Sequence, residues 1–312
     1  MTASTPIVGV IADPLAKPKL ATSTKIARGI TKKTGSPMGR VLVWVLALLW
    51  TIPTFGLLIS SFRPETDIKT TGWWQAFSTR EFTVDNYKGV LEFKQNGRPF
   101  GDFFWNSLAI TIPGSIIPIV IASFAAYALS WMKFPGRDKI FVGIVALLVV
   151  PLQMCLIPLL QFFTSDWSPL DGGVPQIWVA HTIFAMPLAI FLLRNFIGTL
   201  PGEVIEAARV DGATHMTIFT RIVLPLSVPA IASIAIFQFL WVWNDLLVAK
   251  VFGGGAKNAP ITAALNEMVG SKGNDWQLLT AGAFVSVIVP LIVFLSLQKY
   301  FVRGLLAGSV KG

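Results

Sequence analysis

The chain has 312 residues, of which 54% are hydrophobic and 13% charged, and its mean hydropathy is +0.66. Soluble domains carry roughly 25% charged residues, so this composition excludes a soluble globular protein and overrides the two-domain reading that length alone would suggest. A net charge of +9 would fit a nucleic-acid binder, but the positions of the basic residues argue against one, and the single cysteine, Cys155, excludes an internal disulfide.

Residues 1–39 are polar, punctuated by Pro, Thr and Gly, and basic through Lys17, Lys19, Lys25, Arg28, Lys32 and Lys33 against Asp13. They read as a disordered basic cytoplasmic tail. The first apolar run starts too late and is too long to be the core of a signal peptide. A helical span needs about 20 apolar residues, and candidates fall at 40–62, 104–131, 139–163, 175–197, 225–249 and 278–301. They are apolar all round, where barrel strands would alternate. The expected fold is therefore an all-α membrane protein with six transmembrane helices. Cys155, inside the third run, reads as a small buried hydrophobe.

Lys and Arg set the expected orientation. Lys133 and Arg137, with Lys139 at the edge, crowd the short loop 132–138. Arg194, Arg209 and Arg221 surround the segment 198–224, and Lys299, Arg303 and Lys311 mark the C-terminal end. The loop 164–174 holds only Asp166 and Asp171. Alternation from a cytoplasmic N-terminus then places both termini and 198–224 inside, and the loops 63–103 and 250–277 outside. The outer loop 63–103 should contain short helices. Its Trp73, Trp74, Phe77, Phe82, Tyr87 and Phe93 suit an interfacial belt better than sugar stacking.

Pro53, Pro113, Pro118, Pro151, Pro158, Pro187, Pro229 and Pro290 fall within or at the start of the spans. Each removes a backbone donor and can kink a helix, and bundle neighbours can satisfy the freed carbonyls. Gating and simple packing are equally open as their purpose.

Polar residues at membrane depth are functional candidates by default. Here they are Asn106, Ser107, Thr111, Ser115, Gln153, Gln238, Asn244 and Asp245. Gln238, Trp241 and Asp245 are spaced to share one helix face. Amides and a carboxylate bind hydroxyls and an indole covers an apolar sugar face, so Gln238, Trp241, Asn244 and Asp245 form a candidate carbohydrate path. The alternative is that Asn244 and Asp245 cap the outer end of the span while the tryptophans sit in the belt. The loop that follows opens on Gly253-Gly254-Gly255 and has an apolar centre from Pro260 through Thr262 to Leu265.

Between the fourth and fifth spans lies a segment of small and charged residues, Glu206-Ala207-Ala208-Arg209-Val210-Asp211-Gly212-Ala213. Pro201 suits a first helical position, Glu203 and Glu206 suit the early turns, and Gly212 can close a helix in the left-handed conformation. Thr214 can cap a second helix whose apolar stripe is Ile218, Phe219, Ile222 and Val223. The segment thus predicts two short helices with a glycine break, too short to be stable alone.

Glu206-Ala207-Ala208, Asp211-Gly212-Ala213, Phe219, Ile222, Leu224-Pro225 and Pro229 resemble, in register, the EAA loop of ABC importer permeases. The sequence around Trp243-Asn244-Asp245 resembles the aromatic-Trp-Asn-acidic signature of carbohydrate permeases. The end from Gln298 to Gly312 resembles the shorter permease of maltose and α-glucoside importers. The resemblance covers about residues 40–312 and leaves the basic tail outside. It implies a type I ABC importer permease bundle of the bacterial cytoplasmic membrane. The implied partners are a second permease, an ATPase dimer that binds ATP and Mg, an extracellular sugar-binding protein and membrane lipid.

In that family the EAA loop docks on the ATPase, which would assign coupling to Glu206, Ala207, Ala208, Arg209, Asp211, Gly212 and Ala213. Paired alanines permit close backbone approach, and the charges set orientation more than affinity. The loop holding Gly253, Gly254, Gly255, Pro260 and Thr262 would reach the binding protein. Amino-acid, glycerol phosphate or phosphodiester solutes and a secondary transporter remain alternatives, although mid-span charges for ion coupling are scarce.

No Gly-Lys dipeptide occurs, so the chain has no Walker-type phosphate loop. His181 and His215 are far apart without Cys or a second His nearby, so no metal site is expected, and His215 reads as a partner-contact or solvated residue. No hydrolase or metalloprotease motif occurs, and no catalytic residues or nucleic-acid partner are expected.

Overall fold

The computed structural model describes residues 37–166, 168–170, 172–269 and 275–309. Nearly all of the expected tail 1–39, and the segments 270–274 and 310–312, lie outside the described residues. The chain divides into two units, Met1–Thr54 with Gly312, and Phe55–Lys311.

The first unit contributes most of α1, Pro37–Ser61, an apolar 25-residue helix that starts three residues before the expected span. At 1.5 Å per residue it is about 37 Å long, enough to cross a bilayer.

The second unit begins with short pieces: α2 (Glu65–Thr70), a 3-10 turn at Trp73–Gln75, α3 (Ala76–Thr79) and α4 (Asp85–Glu92). An antiparallel hairpin follows, β1 (Lys94–Gln95) with β2 (Arg98–Pro99), pairing Lys94 with Pro99 and Gln95 with Arg98. Its turn, Asn96-Gly97, has φ of 52° and 78°, the positive pair a tight two-residue hairpin requires. The short helices are as expected; the hairpin was missed, although Asn-Gly is its usual sequence signal.

Six longer pieces follow: α5 (Phe100–Trp131), α6 (Arg137–Ala146, continued by a 3-10 turn at Leu147–Val149), α7 (Leu152–Phe163), α8 (Val174–Ile197), α12 (Val228–Trp243) and α15 (Trp276–Ser309). Between α8 and α12 lie α9 (Gly202–Val210), α10 (His215–Ile218), a π-turn at Phe219–Val223 and α11 (Leu224–Leu226). After α12 come α13 (Leu247–Phe252), a 3-10 turn at Ala256–Asn258 and α14 (Ile261–Met268).

Among the described residues, four helices are long and apolar enough to cross a membrane, and two bent pairs bring the total to six if each pair is one span. The third expected span, 139–163, is not straight: its halves meet at 104°. The break falls at Val150-Pro151, where proline forces its predecessor out of the helical region, and Val150 is extended (φ −75°, ψ 118°). The fifth expected span, 225–249, is divided too. A 73° bend separates 215–226 from α12, and α12 stops at Trp243. Pro225 and Pro229 flank that bend at Ser227.

The core of this unit lies where α5 runs along α8, with α12 packed on α5 and α15. Small residues make the approach possible, Ala122 and Ala126 on α5, and Ala185 and Ala189 on α8, all at 4% exposure or less. Between helices in lipid, close van der Waals packing replaces the hydrophobic effect as the driving term. Gly114 is one such contact, because a Cβ there would sit 3.3 Å from Val242.

One buried cluster joins Ile119, Ala122 and Tyr127 of α5 to Leu193 and Ile197 of α8 and to Ile205, Ile218, Phe219 and Val223. A second cluster centres on Ile110, Ile177, Val242 and Phe252. A third joins Phe100, Phe103 and Trp243 to Ile261 and Ala264.

Candidate functional site

The elbow between α8 and α12 is built from two helical pieces that could not stand alone. Pro201 is the N-cap of α9 (φ −59°, ψ 119°), one residue earlier than expected. Ile205, 1% exposed, plugs α9 into the first cluster, with Ala208 packed at its edge. Glu206, Ala207, Val210 and Asp211 point away from the core, and Val210 is 87% exposed.

Gly212 closes α9 with φ +79°. Its N–H donates to Arg209 O at 3.0 Å and Ala213 N–H to Ala208 O at 2.9 Å, the paired bonds of a Schellman cap. A Cβ on Gly212 would meet nothing within 4 Å, so this glycine answers a backbone requirement and not a steric one. Thr214 then caps α10, its hydroxyl accepting from Thr217 N–H at 3.2 Å. Ile218, Phe219 and Val223 are buried and Ile222 packs beside them, which is the apolar stripe the spacing predicts.

Two side-chain bonds that the sequence did not reveal tie this elbow to α5. Arg209 Nη2 donates to Trp131 O at 2.6 Å, while Trp131 Nε1 donates to Ile197 O at 3.1 Å. The Tyr127 hydroxyl and His215 Nδ1 are 2.9 Å apart. His215 is exposed but not merely solvated, because it is held by a tyrosine of the core. Neither bond has a local sequence signature: the partners are 78 and 88 residues apart.

At the opposite end of α12 the chain turns through 244–246. Trp243 is buried and its Nε1 donates to Ser286 O at 3.2 Å. Asn244 donates to Leu240 O at 2.8 Å, closing α12. Asp245 lies beyond the helix, so the expected face shared by Gln238, Trp241 and Asp245 loses its third member. Its Oδ2 accepts from Ala249 N–H at 3.1 Å and stands 3.8 Å from Nε2 of the buried His181. Asn244 and Asp245 therefore serve the turn.

Gln238 is buried and donates to Gly114 O at 3.2 Å. Trp241 borders two apolar grooves. One, of about 890 Å³, runs beside the α6–α7 bend past Pro151, Met154 and Phe162. The other, of about 520 Å³, lies between α8 and α12 and includes Gln238. Cys155 borders the first groove and is only half-buried, against its expected burial.

The loop after α13 is pinned to the start of α5. Arg98 Nη1 donates to Ala256 O at 2.7 Å and also bonds Lys257 O. Asn106 Nδ2 reaches Lys257 O and Ala259 O at 2.9 and 3.0 Å. Ser107 Oγ accepts from Ile261 N–H at 2.7 Å, and Thr262 donates to Asp245 O at 2.8 Å. Of the five residues expected to present this loop, Gly253 and Pro260 are buried and Thr262 is half-buried. Gly254 and Gly255 are exposed with positive φ, followed by exposed Ala256 and Lys257. Sequence reasoning had singled out Asn106 and Ser107 for their polarity and missed Arg98 entirely. Among the described residues no cluster of His, Cys, Asp or Glu could hold a metal.

The sequence profile of the family described as binding-protein-dependent transport system inner membrane component matches residues 118–306, from mid-α5 through the elbow into α15. The chain belongs to that family. It is 55% identical over 276 residues to the osmoprotective compounds uptake permease protein GgtD of Synechocystis sp., covering 87% of this chain and 91% of that one. It is 42% identical to the alpha-glucoside transport system permease protein AglG of Rhizobium meliloti, over 86% of this chain and 96% of that one. A bacterial alginate ABC transporter, solved in complex with an alginate pentasaccharide-bound periplasmic protein, shares the fold at a TM-score of 0.61. Its identity is 16%, and the match covers 89% of this chain and 96% of that one.

The chain is thus a multi-pass inner-membrane permease of an ABC importer, a transport component like its relatives. The family description itself implies a binding protein as partner, and ABC architecture an ATPase.

Proposed function

We propose that this permease serves an ATP-driven importer of maltose- or α-glucoside-like di- or oligosaccharides and is driven through the elbow 198–224. The α-glucoside relative supports the solute class. The observation that carries the coupling role is the elbow's two-sidedness. Ile205, Ile218, Phe219 and Val223 lock it to the core, while Glu206, Ala207, Val210, Asp211 and Gly212 face outward. A load applied to that outer face is passed to α5 and α8 through packed side chains and the Arg209–Trp131 bond.

On this reading both termini and the elbow are cytoplasmic, 63–103 and 250–277 are outer loops, residues 1–39 form a basic tail, and 40–312 form the transmembrane domain. Glu206, Ala207, Ala208, Arg209, Asp211, Gly212 and Ala213 are the coupling residues on an ATPase dimer, and a second permease supplies the other half of the pathway. Gln238 and Trp241, which border a groove, are the lining candidates, and Gly254 and Gly255 lead the contact with the binding protein.

The test is disulfide cross-linking of Ala207→Cys or Ala208→Cys, in a Cys155→Ser background, to cysteines on the ATPase surface. Cross-links that change with ATP are expected. Labelling of those positions only from outside the cell would overturn both the topology and the coupling.

A second reading of the solute is favoured by the 55% identical relative, whose name assigns it osmoprotective compounds. Competition of labelled α-glucoside uptake by small osmoprotectants separates the two.

A further inference from the structure

The turn between α5 and α6 holds a cavity of about 460 Å³ lined by Lys133, Phe134, Gly136, Arg137, Asp138 and Lys139. With the bent pair α6–α7 taken as one span, the turn joins two spans and falls at headgroup depth. Three cations line it, and one of them, Arg137, also donates from Nη1 to Met132 O at 3.4 Å. The one acid, Asp138, is already engaged, 3.4 Å from Arg137 Nε and 4.0 Å from Arg194 Nη2. Arg194 is held in turn over the Phe141 ring at 4.2 Å. Lys133 and Lys139 are exposed, and the structure gives neither an ion pair among the described residues.

The backbone adds to this field. Gly136, at φ +81°, caps α6, and Ile140 N–H makes the opening bond to Gly136 O at 2.9 Å. The amides of the preceding turn are those a helix leaves for an outside acceptor, and its N-terminal dipole favours negative charge. Phe134 lines the cavity, and exposed Ile140, three residues on from Arg137 and so on its face of α6, adds apolar surface beside it.

We propose that this cavity seats the phosphate of an anionic phospholipid headgroup, with Lys133, Arg137 and Lys139 around the phosphate and an acyl chain along Phe134 and Ile140. A spread of basic residues that merely sets orientation has no need of a shared cavity, whereas headgroup recognition between membrane helices does. The same phosphate chemistry could come from a free anion; the adjoining apolar surface favours the lipid. The binding does not depend on the proposed solute or on coupling through the elbow. Its cytoplasmic placement does rest on the proposed topology.

The test uses the full-length chain with its partner subunits in bilayers of equal parts phosphatidylglycerol and phosphatidylcholine. Lipids retained after detergent exchange are counted by native mass spectrometry. Both leaflets carry both lipids, so the result is independent of topology. The expected result is preferential retention of phosphatidylglycerol, reduced roughly tenfold or more in the Lys133→Gln/Lys139→Gln variant if each cation contributes as surface cations usually do. Phosphatidylcholine retention should not change. Lys69→Gln/Lys88→Gln, which removes two exposed cations elsewhere, should retain phosphatidylglycerol as the parent does. Equal retention by the parent and the Lys133/Lys139 variant overturns the proposal. Displacement of the lipid by millimolar inorganic phosphate also overturns it, by showing a phosphate site that does not require a lipid.

Discussion

The two ends of α12 solve the same problem, a sharp departure from a membrane-depth helix, by different means. At the elbow, the chain is held by burial: Ile205, Ile218, Phe219 and Val223 sit in one cluster, with capping bonds inside the elbow and two side-chain bonds to α5. At the opposite turn, burial of Trp243, Ile261 and Ala264 is joined by several side chains that reach backbone groups far along the chain. Arg98, Asn106 and Ser107 fix 256–261, and Thr262 fixes Asp245. Burial is non-directional, so the elbow can tilt as a unit while keeping an outward face free. Bonds to specific carbonyls are directional, so the opposite turn keeps one shape. Under the function proposed above, the first suits a handle that moves and the second a surface that is presented.

The largest effect is expected where the elbow depends on a single backbone state. Gly212→Val places a β-branched residue at φ +79°, a strained conformation that costs on the order of 1–3 kcal/mol. Nothing crowds the position, so the defect is conformational. Sugar uptake should be abolished while the chain still reaches the membrane, and Gly212→Asn, which tolerates the left-handed region, should restore much of it. Uptake unchanged in Gly212→Val would remove the helix break from the coupling account.

Next comes the opposite turn. Asn106→Ala leaves the Ala259 carbonyl without its side-chain partner and the Lys257 carbonyl with Arg98 alone, at a cost of about 0.5–1.5 kcal/mol. Hydrogen exchange should accelerate across 256–261 and not in the elbow. Equal acceleration at both sites would erase the contrast drawn here.

A smaller effect follows from Arg209→Ala. Losing the bond to Trp131 O should cost about 1 kcal/mol at this exposed site. ATPase activity should persist while uptake per ATP falls, since the outer face remains but its tie to α5 is gone. Loss of assembly instead would place Arg209 in the partner contact itself.

These outcomes track how legible each part was in sequence. The elbow was legible because its determinants are local: Gly212 for a left-handed cap, Thr214 three residues before the amide it accepts from, and an apolar stripe at helical spacing. The spans were legible as apolar runs, but not their breaks, because a proline inside a run reads the same whether a helix kinks or stops. Pro113 and Pro118 lie within an unbroken α5, whereas Pro151 ends a helix with a 104° bend. The proposed sugar path was least legible. Spacing put Asp245 on a face with Gln238 and Trp241, yet the helix ended two residues earlier and the carboxylate turned to cap α13. Long-range pairs such as Arg98 with the 256–257 carbonyls have no signature in one sequence at all.

The smallest effect is expected in the segment 63–103, at an exposed ion pair of α4. Asp85 accepts from Lys88 Nζ at 2.8 Å and from the Thr83 hydroxyl at 2.8 Å. The Lys88 bond, then the Thr83 bond, holds the Asp85 carboxyl below its ordinary value. A carboxylate depressed by folding adds stability above its unfolded pKa and loses it as pH falls through the folded value. Both groups are fully exposed, so screening leaves little of it. Asp85→Asn should therefore leave the thermal midpoint at neutral pH almost unchanged and slightly flatten its decline in acid. A large drop at neutral pH would mean that α4 is held by this exposed pair and not by Val90 and the buried bonds of Asn86 to Ser61 O and Arg63 O. The segment 63–103 would then owe its shape to surface charge, and directional bonding to backbone carbonyls would no longer be the rule at this end of the molecule.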